Sequence, residues 1–298
     1  MELYPGIKVL QTSKENIDTI YREGELSADF DLRYKFKENQ NEYVVLNDKI
    51  FNEAGEELYG GSASVITRVQ GDKLKKLALT KDVQVSGLRP RNKEQTMALD
   101  SLLDPTINVV TLTGSAGTGK TVITLAAALH LVDQGSYEKV ILTRPMTQCG
   151  KQELGILPGE VEDKFGPYLK NYMCNFEHLL GKRLRSMDDL IDHYNMEFVP
   201  FQLIRGASWP NTIIIADEIQ TLPVSDMLTL GTRVGDNSKL IILGDLNQRD
   251  ERIAKEKTGL FIWVNSEIVR RDKVTASINL IKNERSYVSQ LFSEVLGG

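Results

Sequence analysis

Residues 114–121 read GSAGTGKT, and this stretch decides the fold. It fits the pattern G-x-x-x-x-G-K-[ST] of a phosphate-binding loop, and it follows an apolar, β-type run from Asn108 to Thr113. The glycines let backbone N–H groups point inward at an anion, and the positive N-terminal end of the helix predicted over Val122 to Leu131 faces the same anion. The stretch therefore predicts a nucleotide-binding site formed by Gly114, Ser115, Ala116, Gly117, Thr118, Gly119, Lys120 and Thr121.

The composition is that of a globular protein with enough apolar residues for a complete core. The chain has 298 residues, of which 41% are hydrophobic. It has no run of about eighteen apolar residues and no signal-peptide pattern, so we expect a soluble cytoplasmic protein without a membrane segment. Two cysteines and three scattered histidines lack metal-ligand spacing, so no structural zinc is expected. The net charge of −5 restricts any nucleic-acid contact to local basic groups.

The chain divides into two parts at about residue 85. Residues 1–85 contain short alternating segments around Tyr43 to Asn47 and Ser62 to Val69, and they predict a small β-rich N-terminal module. Residues 86–298 predict the main domain. Within it, residues 149–206 are long and weakly periodic, which indicates an inserted helical segment. Its aromatic residues suit base stacking or core packing, and core packing is favoured for Phe165, Tyr168, Tyr172 and Phe176.

The main domain alternates apolar β-type runs with helical patterns, as a parallel α/β sheet requires. The strands predicted after the loop are Lys139–Leu142, Asn211–Ala216, Lys239–Leu243 and Ala276–Leu280. Polar residues gather where these strands end. In an open α/β sheet, ligands bind at that carboxyl edge, so we expect the functional site to lie there.

Four residues suit hydrolysis of a nucleoside triphosphate, which needs a metal ion, a positioned water and cations at the phosphates. Lys120 is predicted to bridge phosphate oxygens, and the Thr121 hydroxyl to join the Mg²⁺ shell. Asp217 ends a buried strand and is the predicted carboxylate ligand of Mg²⁺. Glu218 follows it and is the predicted base that activates the attacking water. An acid pair after a strand is otherwise typical of a helix N-cap.

Two further positions complete the predicted catalytic set. Gln248 follows the strand that ends near Gly244, and its amide can bond both the γ-phosphate and the water, so it can sense which nucleotide is bound. The candidates for the arginine that neutralises transition-state charge are Arg252, Arg270, Arg271 and Arg285. We favour Arg285, which follows the last predicted strand and can act on its own subunit or on a neighbour's site.

Gln95 is the predicted contact for the base. It lies one turn into a helix that begins after a candidate N-cap, Asn92, just upstream of the loop. Its amide can donate and accept simultaneously against an adenine edge, which favours ATP as the nucleotide. Glutamine is also a common surface helix former, so the spacing to Gly114 supplies most of the signal.

These residues resemble a known family. The segments DEIQ (217–220) and GDLNQ (244–248) resemble motifs II and III of superfamily-1 helicases. The whole set is similar to the PhoH family of ATPases over about residues 83–298, through RPRNKEQ, GSAGTGKT, LTRP, LGILPGEVEDKFGPYL, LIRGASW, IIIADEIQ and LGDLNQRD. A weaker likeness, over Glu42 to Leu79, is to the connector of longer members that carry an N-terminal PIN ribonuclease domain.

The resemblance implies a RecA-like P-loop core, ATP and Mg²⁺ as cofactors, and RNA or single-stranded nucleic acid as the polymer partner. It also implies a homo-oligomeric ring, for which a hexamer is the candidate, because a single RecA-like core fits in this chain. By motif match, Gln95 contacts adenine, Arg144 lies on the nucleic-acid path, and Arg205 lies near the nucleotide or a subunit boundary. Residues 1–85 are too few for a connector plus a PIN domain, so ribonuclease activity is not expected. Ile219 replaces the alanine common in motif II and leaves both acids in place.

Three functions are consistent with the residues. The first is an ATPase that couples hydrolysis to binding or unwinding RNA or single-stranded nucleic acid. The second is a small-molecule kinase, but the adjacent acids followed by a separate glutamine favour water as the acceptor. The third is a regulatory binding module switched by ATP with little turnover, because the same residues both bind and hydrolyse the nucleotide.

Overall fold

Two sheets carry the fold, one formed by the N-terminal residues and a larger one that begins after residue 108. A computed structural model of the chain describes residues 8–27, 39–48, 50–51, 57–59, 63–79, 82–145, 172–181, 186–248, 254–284, 288, 291 and 295. None of the helices in these ranges has the length and apolar character that a membrane span requires.

The N-terminal residues form a five-stranded mixed sheet covered on one face by a helix. In chain order the elements are β1 (Lys8–Gln11), α1 (Lys14–Glu23), β2 (Glu25–Ser27), β3 (Tyr43–Asn47), the short pair β4 (Ile50–Phe51) and β5 (Glu57–Tyr59), β6 (Ser64–Gln70) and β7 (Lys73–Lys76). The strand order is β1-β3-β6-β7-β2, with β1 and β3 parallel and the other pairs antiparallel. Helix α1 buries Ile17 and Ile20 against the sheet. The predicted β-rich module is confirmed.

The larger sheet has six strands among the described residues, and all of them are parallel. They are β8 (Val109–Gly114), β9 (Lys139–Arg144), β10 (Met196–Pro200), β11 (Thr212–Ala216), β12 (Lys239–Gly244) and β13 (Thr275–Leu280). The order is β10-β9-β11-β12-β8-β13, which places the loop strand β8 between β12 and β13, as in a RecA-like core. The five strands predicted from apolar runs are confirmed to within two residues at each end.

The helices of the main domain lie on both faces of this sheet. They are α2 (Lys93–Leu103), α3 (Lys120–Asp133), α4 (described over 172–180), α5 (Met187–His193), α6 (Val224–Gly231), α7 (Gly259–Asn265) and α8 (Glu267–Arg271). Alternate residues of the central strands enter different cores: Ile213 and Ile215 pack on the side of α2 and α3, whereas Ile214 and Ala216 pack on the side of α7. Because both faces are covered, the central strands read as continuous apolar runs.

The N-terminal sheet docks on α2 through apolar and ionic contacts. Tyr43 and Val45 of β3 belong to the same buried cluster as α2. The Tyr43 hydroxyl donates to Asp100 at 2.8 Å, and Arg68 of β6 pairs with Asp100 at 3.1 Å and with Asp104. The side chain of Arg68 is 8% exposed, so these charges are buried together. The helix that ends at this cluster begins beside the phosphate-binding loop.

The segment that we predicted to be an inserted helical segment, residues 149–206, contains a strand. Residues 172–180 are helical, as expected, but Met196–Pro200 forms β10 at the edge of the main sheet, parallel to β9. Its sequence, MEFVP, is short and does not alternate between apolar and polar residues, so it did not predict a strand. The burial of its side chains does not alternate regularly either. Tyr172 and Phe176 are 3% and 0% exposed, which confirms core packing for both, whereas Phe165 and Tyr168 lie outside the described residues.

Candidate active site

The loop between β8 and α3 has a backbone that requires glycine. Gly114, Gly117 and Gly119 have φ of 145°, 88° and 93°, a region that L side chains rarely adopt. A Cβ at Gly114 would lie 2.2 Å from the carbonyl oxygen of Leu280, so β13 also leaves no room for a side chain there. The loop therefore lies close against β13, and it leads into α3, whose first four residues line a cavity.

Lys120, the first residue of α3, lies along this loop. Its Nζ donates to the carbonyl oxygens of Gly114 at 2.6 Å and Ser115 at 2.9 Å. The hydroxyl of Thr118 also donates to Ser115 at 3.0 Å. The ammonium group is thus held at the centre of the turn, where a phosphate-binding loop needs its cation.

Thr121 and Asp217 bring two oxygen donors together across the sheet edge. Asp217 follows β11 directly and is 9% exposed, and its Oδ2 lies 3.5 Å from the Thr121 hydroxyl. The hydroxyl of Tyr172, on α4, donates to the same oxygen at 3.1 Å. The backbone N–H of Glu218 donates to the other oxygen, Oδ1, at 2.9 Å. Both oxygens of the carboxylate are therefore engaged.

Burial dominates the electrostatics of this carboxylate. It raises the pKa of Asp217, and the neighbouring Glu218 charge raises it further, whereas the Tyr172 hydrogen bond and the Arg144 charge lower it. Burial also raises the pKa of Tyr172 well above its ordinary value, so this hydroxyl stays protonated and donates. A buried carboxylate without a bound cation is costly, which fits a site that binds one.

Glu218 points away from Asp217 because its backbone is left-handed, with φ 59° and ψ 37°. Its carboxylate is exposed to the cavity and accepts a hydrogen bond from the amide Nε2 of Gln220 at 2.7 Å. The Oε1 of the same amide accepts from the backbone N–H of Asp245 at 3.3 Å. Gln220, which is 6% exposed, therefore joins the acid pair after β11 to the loop after β12.

That loop carries Gln248. Asp245 is 6% exposed, and its carboxylate accepts from the backbone N–H of Asn247 at 2.9 Å. The backbone N–H of Gln248 donates to the Asp245 carbonyl at 3.2 Å. This tight turn leaves the Gln248 side chain exposed on the cavity wall.

Gln95 braces the phosphate-binding loop. It is 4% exposed, and its Nε2 donates to the Thr118 carbonyl at 3.1 Å while its Oε1 accepts from the backbone N–H of Arg91 at 2.8 Å. The helix α2 that carries it begins at Asn92, whose side chain caps it by accepting from the Gln95 backbone N–H, as predicted.

The segment after β13 closes the loop from the other side. The backbone N–H of Glu284 donates to the Gly117 carbonyl at 3.0 Å, and the Glu284 carboxylate accepts from Asn92 at 2.8 Å. Glu94 of α2 accepts from the backbone N–H of Ile281 at 2.7 Å. These bonds tie α2, the loop and the chain beyond β13 into one unit.

A cavity of about 390 Å³ lies among these elements at the carboxyl edge of the sheet. The structure brings together there the predicted residues Gln95, Ala116, Gly117, Gly119, Lys120, Thr121, Asp217, Glu218 and Gln248. It is lined as well by residues that the sequence did not single out for a role, chiefly Asn175, His178, Gln220 and Glu284.

Of the predicted arginines that the structure describes, none lines this cavity. Arg144 ends β9 and lies close enough to Asp217 and Tyr172 for its charge to offset part of the rise in pKa that burial causes in both. Arg205 has an 80% exposed side chain, 4.0 Å from Asp226. Arg270 donates to the backbone of Val264, whereas Arg252 and Arg285 lie outside the described residues.

The sequence contained a signal for one of the two functional residues that we did not predict, but not for the other. Gln220 belongs to the quoted segment 217–220, and its position two residues after Glu218 was available as a signal. Tyr172 is 45 positions from Asp217 in the sequence, and no motif or spacing links them.

The family profile described as "PhoH-like protein" matches residues 87–295. The chain belongs to the PhoH family. Protein PhoH2 of Bacillus subtilis (strain 168) is 35% identical over 300 residues, which cover 99% of this chain and 65% of that protein. Protein PhoH2 of Thermobispora bispora is 34% identical over 270 residues, which cover 90% of this chain and 61% of that protein.

The PhoH-family chain thus spans less than two thirds of the length of these two relatives. Among solved structures, the Pif1 helicase from Candida albicans is similar over 69% of this chain and 43% of that chain, at 20% identity and a TM-score of 0.37. What family membership supports is a P-loop NTPase.

The residues present fit a magnesium ion of such an NTPase. Mg²⁺ takes oxygen ligands and binds through one or two protein groups together with substrate phosphates. The Thr121 hydroxyl and the buried Asp217 carboxylate form such a pair, next to the phosphate-binding loop. These two residues would hold the ion, which would supply positive charge at the phosphates.

Proposed function

We propose that this PhoH-family protein binds ATP with Mg²⁺ and hydrolyses it, and that hydrolysis is coupled to binding or unwinding RNA or single-stranded nucleic acid. One observation carries the proposal of hydrolysis. Lys120, Glu218 and Gln248, which come from three separate strand ends, line a single cavity with the phosphate-binding loop. A cation, a carboxylate base and a neutral amide in one cavity are the groups that water attack on a γ-phosphate requires.

Each residue has a role that its position supports. Lys120 neutralises phosphate charge, because its ammonium group lies at the centre of the loop. Glu218 accepts the proton of the attacking water, because its carboxylate is exposed to the cavity and oriented by Gln220. Gln248 bonds the water and the γ-phosphate, because its side chain is exposed on the cavity wall. For the transition-state arginine we retain Arg285, which directly follows Glu284, a residue bonded to the loop.

Adenine specificity is assigned to Gln95. Both ends of its amide already bond the backbone, but the amide has two donor hydrogens and two acceptor lone pairs. One donor and one acceptor therefore remain for the edge of a base. Its position, bonded to Thr118 of the loop and at the cavity wall, supports this role.

The polymer is assigned to the carboxyl edge beside the nucleotide. Arg144 supports this placement, because it supplies a positive charge at the end of β9, next to β11 and its acid pair. The likeness of residues 217–220 and 244–248 to motifs II and III supports a helicase-like coupling. The described residues form one RecA-like core. We therefore propose that a homo-oligomeric ring, with Arg205 near a subunit boundary, supplies the second surface that movement along a nucleic-acid strand needs.

The test is phosphate release from ATP by the wild type and by Lys120→Ala, with and without single-stranded RNA or DNA. We expect magnesium-dependent release that a polymer stimulates, and its loss in Lys120→Ala. Wild-type protein that releases no phosphate under any of these conditions would contradict hydrolysis. If the rate of phosphate release is the same with and without RNA or DNA, the protein is an ATPase, but the proposed coupling to nucleic acid is contradicted. Solution mass with and without ATP tests the ring, and a monomer in both states would overturn it.

A further inference from the structure

Tyr172 ties the inserted helix α4 to the acid pair. Its side chain is 3% exposed, and its ring lies 6.1 Å from the ring of Phe198 of β10, centroid to centroid. Its hydroxyl donates to Asp217 Oδ2 at 3.1 Å. The ring is thus fixed in the core while the hydroxyl reaches the carboxylate.

The bond acts on the oxygen that faces Thr121. Oδ1 of Asp217 is held by the Glu218 backbone, and Oδ2 has the Tyr172 hydroxyl at 3.1 Å and the Thr121 hydroxyl at 3.5 Å. Removing the Tyr172 hydroxyl deletes the shorter contact to Oδ2. The carboxylate is then freer to rotate about its Cβ–Cγ bond.

The part of helix α4 that follows Tyr172 lines the nucleotide cavity. Asn175 and His178, one and two turns further along, both line the cavity. Residues spaced by three lie on one face of a helix. The same face of α4 therefore contacts the carboxylate and forms a wall of the nucleotide cavity.

We propose that Tyr172 is a positioning residue for the magnesium site, and that through it the inserted helix α4 sets the Mg²⁺ affinity of the bound nucleotide. The inference rests on the proposed function of the site. Groups that hydrogen-bond a metal ligand fix its orientation, and removing them typically lowers metal affinity about 10- to 100-fold.

The experiment measures binding of a fluorescent ADP analogue by anisotropy, first in EDTA and then as Mg²⁺ is added. The variants are Tyr172→Phe, which keeps the buried ring, and the matched control Tyr194→Phe. Tyr194 is also buried, and its hydroxyl donates to Asp133, an aspartate outside the cavity lining. Circular dichroism and thermal melting establish that both variants are folded.

We expect Tyr172→Phe to raise the half-saturating Mg²⁺ concentration about tenfold or more while leaving affinity in EDTA unchanged. Tyr194→Phe is expected to change neither. A wild-type Mg²⁺ dependence in Tyr172→Phe would overturn the proposal, as would an equal loss of affinity with and without Mg²⁺, which indicates a purely structural role. Wild-type protein that binds the analogue without any Mg²⁺ dependence would instead contradict the proposed function of the site.

Discussion

Gln220 lies where two functional loops meet, and replacing it by leucine tests whether their connection matters. The substitution keeps the volume and removes the amide. It breaks the 2.7 Å bond to the Glu218 carboxylate and the 3.3 Å bond from the Asp245 backbone N–H. Both Gln220 and Asp245 are 6% exposed, so water cannot easily replace the lost partner of that N–H.

The expected effects follow from these two bonds. An unpaired buried N–H costs about 1–3 kcal/mol, which corresponds to a fall in melting temperature of roughly 2–4 °C per kcal/mol for a domain of this size. Glu218 also loses its orienting donor, and a misplaced catalytic group can cost about 100-fold in rate. Nucleotide affinity is expected to change little, because Lys120 and the loop stay in place.

The assay is ATP turnover at saturating nucleotide, with melting temperature and nucleotide affinity measured on the same samples. The matched control is Gln134→Leu, which removes an exposed glutamine at the end of α3 and is expected to change none of the three. If Gln220→Leu melts lower but turns over at the wild-type rate, Gln220 is a packing residue and the argument for orienting Glu218 is refuted.

Two further predictions concern the ionic cluster that holds the N-terminal sheet on α2. Arg68→Met leaves two buried aspartates without their cation, and we expect it to lower the free energy of unfolding, measured by chemical denaturation, by about 3–5 kcal/mol. The exposed control Arg22→Met is expected to lower it by less than about 1 kcal/mol. Equal losses in the two variants would contradict the role of the cluster. Lys239 of β12 is fully buried beside this cluster, and its Nζ donates to the backbone carbonyl oxygen of Asp104 at 2.9 Å. Burial lowers the pKa of Lys239 to about 8, so the unfolded state binds more protons between that pH and about 10.4. The stability of the wild type relative to Lys239→Met is therefore expected to rise across that window by about 3 kcal/mol. A flat difference between the two proteins would show that Lys239 keeps its ordinary pKa.

The strands of the main sheet could be predicted because each is buried on both faces. Residues 212–216 and 239–244 are buried throughout, so an apolar run was the direct signature of a central strand. Strand β10 could not be predicted in this way. Within the described part of the chain it pairs with β9 alone, and it is a strand because of that pairing with residues more than fifty positions away.

In the candidate site, too, some features could be predicted from the sequence pattern and others could not. The loop, Asp217, Glu218 and Gln248 follow strands, so their shared edge could be predicted from the α/β pattern. The contacts of Tyr172 with Asp217 and of Arg68 with Asp100 depend on tertiary packing between distant residues, to which single-sequence periodicity is blind. Glu218 points away from Asp217 because its backbone is left-handed. Glutamate rarely adopts that conformation, so the residue type gave no reason to predict it.

We propose above all that Glu218 activates water for attack on ATP. The most direct test is a single-turnover measurement of γ-phosphate cleavage with enzyme in excess, comparing the wild type with Glu218→Gln at matched nucleotide occupancy. A general base contributes about 10²- to 10⁴-fold, so we predict that Glu218→Gln binds Mg²⁺ and ATP normally and cleaves at least about 100-fold more slowly. Equal cleavage rates in the two proteins would contradict the account.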